Sequence, residues 1–208
     1  NLANIVIPDS VTNIGDKIFY GCDSVTIHAP ARSYAESYAK ESTATNKNSL
    51  YDSYKLAIRW ASDRIERNGI IGYVTNGSFI DGNSDDGLRA CLEKEFSYIY
   101  IINLRGNQRT QGEESRKEGG KIFGGGSRTP VAITLLIKDE NYKGQKAQIN
   151  YFDIGDYLSR EQKLNKINHY HDISKVDFTH IIPNKFNDWI GQRDESFNKF
   201  VLIGSKDK

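Results

Sequence analysis

Methionine is absent from all 208 residues, position 1 included. A chain starting at its own initiator would carry one, so the sequence reads as a fragment or a processed piece. Cysteine is almost absent: Cys22 and Cys91 lie in segments of unrelated character, which argues against a disulfide framework or a cysteine metal site. The four prolines, Pro8, Pro30, Pro130 and Pro183, are never adjacent. No apolar run approaches the roughly 20 residues that a membrane span requires. The start has no basic-then-apolar leader. Net charge is only +1, so affinity for nucleic acid has to come from local patches rather than a global field. His169, His171 and His180 lack carboxylate or cysteine partners at metal spacing, and no metal site is expected.

What is present suits a soluble globular protein: 38% of residues are hydrophobic and 26% charged, enough for one medium domain or one domain with a small appendage. Two grammars divide the chain. In residues 1–41, "IVIPDS" and "TIHAPA" are short β-like runs closed by prolines 22 residues apart. That spacing lies in the range of repeats that give one strand and one turn per unit. The stretch "NLANIVIPDSVTNIGDKIFYGCDSVTIHAPARSYAESYAKE" resembles the last unit and helical end-cap of BspA-like leucine-rich repeats. A β-hairpin followed by a helix is the plainer alternative. Residues 42–49, "STATNKNS", have no large apolar side chain and read as a linker.

From Leu50 the pattern changes to alternating helices and strands, the mark of an α/β sheet with partly parallel pairing. Leu50, Tyr54, Ala57, Ile58, Ala61 and Ile65 recur at helical spacing, with Gly69 as the expected stop. A strand is expected over 70–76, a helix over 85–96 and strands over 97–104, 130–137 and 148–154. The last 55 residues show no strong period and read as mixed and irregular.

The stretch "GGKIFGGGSRTPVAITLLIKD" (119–139) runs a glycine-rich loop straight into a buried-type strand. From Arg105 to Arg128 there are six basic residues, three acidic residues and seven glycines in 24 positions. Glycine permits close approach to a ligand, and arginine gives bidentate contacts to phosphate. Such a loop suits ordering on a nucleic-acid backbone, or is simply a long mobile surface loop. A phosphate-binding P-loop fails on spacing: Ser115 stands where the first glycine should be, and Ile122 fills the Ser/Thr slot. Phe123 is either a stacking group for a base or an anchor tucked into the core.

Four stretches carry a second resemblance: "YDSYKLAIRWASDRI", "GIIGYVTNGSFIDGNSDDGLR", "IYIINLRGNQRTQGEESRKEGGKIFGGGSRTPVAITLLIK", and "DIGDYLSREQKL" with "IIPNKFNDWIGQRDESFNKFVLIGSK". Residues 50 to about 206 resemble the DNA adenine-N6 methyltransferase portion of single-polypeptide (type ISP-like) restriction-modification enzymes. The resemblance implies an α/β fold holding only the later strands of a Rossmann-like methyltransferase sheet, after a leucine-rich-repeat cap. It divides the chain into 50–154, the partial methyltransferase domain, and 155–208, the start of a coupler and target-recognition region. Double-stranded DNA is the implied partner, S-adenosylmethionine the implied methyl donor, and a bacterial cytoplasm the implied setting. Neither the family's phenylalanine-x-glycine-x-glycine turn nor its Asn-Pro-Pro-Tyr type tetrapeptide occurs here. A missing N-terminal half would lie just before Tyr51, so cofactor binding and catalysis are not expected of this chain alone.

By the same resemblance, Phe123 matches the aromatic that stacks on an extruded adenine. Arg105, Arg109, Arg116, Lys117, Lys121 and Arg128 would contact DNA, as would Trp189, Gln192 and Arg193 in "NDWIGQRD". Thr75, Asn76 and Ser78 would line the pocket at a strand's C-terminal end, unless they form an ordinary strand-to-helix turn. The segment around Trp189 could equally be a surface turn anchored by its aromatic. "NGS" at 76–78 also fits a glycosylation acceptor, but nothing indicates secretion. Rival readings are a leucine-rich-repeat surface or interaction protein, and a chimeric or decayed gene product.

Overall fold

The structure, a computed structural model, describes residues 4–6, 26–28, 52–125 and 127–193. Two short strands, β1 (Asn4–Val6) and β2 (Thr26–His28), pair in parallel, with Asn4 opposite Thr26 and Val6 opposite His28. The offset equals the 22-residue spacing of the two prolines. The expected end-cap helix and the linker at 42–49 lie outside the described residues.

The main sheet has five strands in the order β3-β5-β4-β6-β7. They are β3 (Gly69–Asn76), β4 (Tyr98–Asn103), β5 (Val131–Lys138), β6 (Gln148–Asp153) and β7 (Thr179–Ile181). β4 and β6 are parallel, and every other pairing is antiparallel. This is the α/β class with partly parallel pairing that the pattern predicts. The register lines up one apolar row across all five strands: Ile71, Leu136, Ile99, Ile149 and Ile181, each buried. Side chains alternate between faces along a strand, so this row fixes which face is core.

Helices α1 (Ser53–Ser62) and α2 (Asp86–Glu95) supply Ile58, Leu88, Cys91 and Leu92 to the same core. α1 stops short of the predicted glycine. Gly69 instead opens β3, where a Cβ would lie 2.8 Å from the Cγ2 of Ile65. It is a close-approach position, not a helix cap. A second cluster, Leu104, Ile122, Val131 and Ile154, gathers at one end of the sheet, with Ile102, Ile133 and Phe152 packed against it.

Residues 155–193 are not irregular throughout. Arg160–Tyr170 form helix α4, opened by a capping box: Gln162 N donates to Ser159 Oγ at 3.2 Å and Ser159 N to Gln162 Oε1 at 2.8 Å. Nor does the division expected at 154/155 separate two cores. β7 pairs with β6, and Trp189, 2% exposed, packs edge-on to Phe79 and donates its indole N–H to buried Glu93 at 2.8 Å.

Arg89 ties that later segment to the sheet. Its side chain is fully buried and donates to the carbonyls of Phe79 (2.9 Å), Gly82 (2.8 Å) and Asn187 (2.6 Å) and to Asp188 Oδ1 (3.2 Å). Removing one member of a buried, hydrogen-bonded ion pair strands the other, at a cost of roughly 3–5 kcal/mol. Arg89→Ala is therefore expected to lower the urea midpoint by an amount equivalent to about that free energy. A loss below about 1 kcal/mol would show that water replaces the guanidinium at no cost.

Candidate nucleic-acid interface

β3, β4 and β6 all end at the same side of the sheet as β5 begins: Asn76 is opposite Val131, and Asn103 is opposite both Ala132 and Asp153. The turn after β3 and both feet of the basic loop therefore meet at one place. Gly77 N donates to Pro130 O at 3.0 Å, Leu104 N to Val131 O at 2.9 Å, and Val131 N to Arg105 O at 3.0 Å. C-terminal strand ends are where α/β sheets expose polar turns.

The loop is not the mobile coil that its glycine content predicts. Gln108 N donates to Arg128 O at 2.9 Å, and Arg128 Nη2 to Gln108 O at 2.8 Å, so its two arms run side by side. Between them lies a short helix, α3 (Gly112–Glu118). Gly106 N then donates to Glu118 O at 3.1 Å, and Asn107 N to the Glu118 carboxylate at 2.8 Å. Gly119 and Gly120 press on the chain that leads into α4. A Cβ at Gly119 would sit 2.2 Å from Leu158 O, and one at Gly120 2.4 Å from Arg160 N. These two glycines serve close packing, whereas a Cβ at Gly124 or Gly125 would meet nothing within 4 Å.

The predicted contact residues fall into three groups. Arg105 is occupied: its Nε donates to Asp153 Oδ1 at 2.7 Å, and its Nη1 lies 2.5 Å from Asp156 Oδ1. Burial works to lower its pKa, but the two carboxylates outweigh it and the net shift is upward. Its charge is shared with two carboxylates of the fold. Arg116 and Lys117 face Glu113 and Glu114 across one turn of α3 at 3.5 and 3.3 Å, in the exposed setting where ion pairs contribute little. Arg109 and Lys121 form no ion pair among the described residues. Phe123 is 51% exposed, beside Ile122, which is buried in the second cluster. The anchor is therefore Ile122, one residue earlier than the alternative expected for Phe123.

The segment 187–193 is held elsewhere. Trp189 is core, which corrects its expected base contact. Arg193 lies 2.9 Å from Asp188 Oδ2, and Gln192 Nε2 donates to Ile182 O at 2.9 Å, beside β7. Thr75, Asn76 and Ser78 bond to one another: Ser78 N and Oγ donate to Asn76 Oδ1 at 2.9 and 2.7 Å, and Thr75 Oγ1 donates to Asn76 O at 3.4 Å. Sequence reasoning missed Asp153, Asp156, Tyr157 and Lys163, which hold the loop from the far side. Only the Ser-x-x-Gln start of α4 hinted at them. Among the described residues, no group of His, Cys, Asp or Glu could hold a metal, and no helix is long and apolar enough to cross a membrane.

An α/β segment with a folded basic loop at the strand ends is thus the class that the structure defines. No family model and no curated protein matches the sequence. Solved structures do. A nuclease-deletion mutant of the type ISP restriction-modification enzyme LlaGI, in complex with a DNA substrate mimic, is 52% identical with a TM-score of 0.75, over 81% of this chain and 13% of that one. The ATP-dependent type ISP enzyme LlaBIII bound to DNA is 45% identical with a TM-score of 0.78, over 84% of this chain and 12% of its own. A DrdV–DNA complex is 34% identical with a TM-score of 0.72, over 79% and 16%. The chain is homologous to a segment of type ISP restriction-modification enzymes, and it spans about one eighth to one sixth of the chains it matches.

Gly119 has φ +65° and ψ −151°, a region that only glycine occupies without strain. Gly119→Ala is expected to cost on the order of 1–3 kcal/mol from backbone strain alone and to open residues 112–122 to trypsin. Gly124→Ala should change neither measurement. Equal protease resistance of both variants would show that the loop does not rest on Leu158.

Proposed function

We propose that the chain is the later part of a DNA adenine-N6 methyltransferase domain in a restriction-modification enzyme, and that it supplies the loop facing the target base and the DNA backbone. The observation that carries this reading is Phe123: an exposed aromatic between the two anchored arms of a basic loop. Such a group can stack on a base swung out of the duplex. The DNA present with LlaGI, LlaBIII and DrdV supports the choice of ligand. We further propose that the domain's preceding half pairs along β3. Among the described residues no strand lines its outer edge, and Ile70 and Val74 on one of its faces are 66% and 54% exposed. For residues 1–41 we propose a leucine-rich-repeat cap, supported by the parallel pair at an offset of 22 residues.

We propose that the residues present do not hold S-adenosylmethionine by themselves. Thr75, Asn76 and Ser78 are hydrogen-bonded among themselves, and neither sequence motif for the cofactor or the target amine occurs. No methyl-transfer step is assigned to this chain. Calorimetric titration with S-adenosylmethionine is expected to show no saturable heat; a micromolar dissociation constant would refute that assignment.

The DNA reading is tested by two kinds of variant. Neutralising Arg116, Lys117, Lys121 and Arg128 together should weaken binding and flatten its salt dependence by about 0.9 per lost phosphate contact. Phe123→Ala should leave the salt slope alone and weaken binding to a duplex with an unpaired adenine by roughly 1–3 kcal/mol. If Phe123→Ala changes neither slope nor affinity, the base-stacking role falls.

A further inference from the structure

We infer that Lys163, with Arg160, is a positioning residue: α4 grips alternate carbonyls of the loop and so sets where Phe123 stands. The inference rests on the DNA reading only for what Phe123 then touches. Lys163 is 0% exposed, and its Nζ donates to the carbonyls of Glu118 at 2.7 Å and Gly120 at 2.8 Å. Arg160 Nε donates to the next alternate carbonyl, Ile122 O, at 2.6 Å. In return Gly120 N donates to Leu158 O at 2.9 Å, Tyr157 N to Lys117 O at 3.0 Å, and Tyr157 Oη to Glu113 Oε1 at 2.6 Å.

These ties end at Ile122, and Phe123 is the next residue. Past it, Gly124 and Gly125 stand in open space. The loop is therefore tied to α4 up to the residue before the aromatic, and it is next tied at Arg128, which exchanges hydrogen bonds with Gln108. Burial pushes the Lys163 ammonium pKa down, opposed first by the negative charge of Glu118. A buried charge is an expensive way to fill volume, since apolar residues of similar size are often neutral or stabilising there. What a lysine adds over methionine is direction: two carbonyls must point at one atom, and that fixes the path of 118–120. The last carbonyls of a short helix also favour a cation.

The test uses the full chain and hydrogen exchange together with DNA affinity. Lys163→Met should accelerate exchange at the Gly106 and Gly120 amides. Lys138→Met is the control: Lys138 Nζ makes a similar clasp on Ser62 O and Ile65 O at 3.1 and 3.0 Å, far from the loop, and its loss should leave both amides unchanged. On a duplex with an unpaired adenine, Lys163→Met should raise Kd roughly tenfold, the scale of one base–aromatic stack. Adding Phe123→Ala to it should cost nothing further, because the ring is already misplaced. Should Lys163→Met fail to fold, Gly120→Ala forces the same contact apart and should give the same pattern. Unchanged exchange at Gly120, or fully additive effects of the two variants on Kd, overturns the inference. Faster exchange with no effect of Phe123→Ala on DNA keeps the clasp and removes the base-stacking reading instead.

Discussion

β5 is paired along both edges, eight residues to β3 on one side and six to β4 on the other. That double pairing governs the interface. It pins Pro130 and Val131 beside both the end of β3 and the end of β4. The intervening residues, 104–130, must therefore leave and return at one point. A chain of that length closed on itself loses much conformational freedom, at a cost that grows only slowly with its length. The loop offsets this by folding: paired arms, a short helix and a buried isoleucine. Its exposed residues, among those described, are those at 109, 111–114, 116, 123–125 and 127–128.

Much of this was legible in the sequence, and the reasons differ by element. β3, β4, β5 and β6 are apolar runs with nothing nearby to compete, so their positions follow from local pattern. The loop was misread because its order comes from partners far along the chain. Arg105 pairs with a residue 48 positions away, and Lys163 reaches back 45 to Glu118. High glycine content looks like mobility until those partners are in place. α4 escaped notice for a related reason: among its 11 residues only Lys163 is fully buried, so no apolar stripe exists to be seen. The capping box was its one local signal.

Charge was the least legible property. Six of the loop's residues are basic, yet Arg105 is neutralised by Asp153 and Asp156, while Arg109 and Lys121 remain unpaired among the described residues. Arg89 and Glu93 sit in a helix that looks amphipathic, yet both are buried, because the segment around Trp189 folds over them from nearly 100 residues away. A burial pattern set by one local surface can be read from periodicity. One closed from two sides cannot.

Two residues make the loop's attachment more than a set of contacts. Arg105 and Tyr157 both hold left-handed backbone, at φ 56° and 61°, where a side chain is disfavoured and glycine is the usual choice. Glycine would relieve the strain but remove what each side chain does. Arg105 bridges the end of β6 to the turn after it through Asp153 and Asp156, while its own carbonyl accepts from Val131. Tyr157 reaches Glu113 on α3 with its hydroxyl, while its amide binds the carbonyl of Lys117 on that same helix. Each residue thus works with backbone and side chain together, one at the loop's foot and one against its midpoint. Strain of this kind persists only where surrounding contacts over-determine the conformation. Here they do, and the rigidity they impose ends one residue before the exposed aromatic ring.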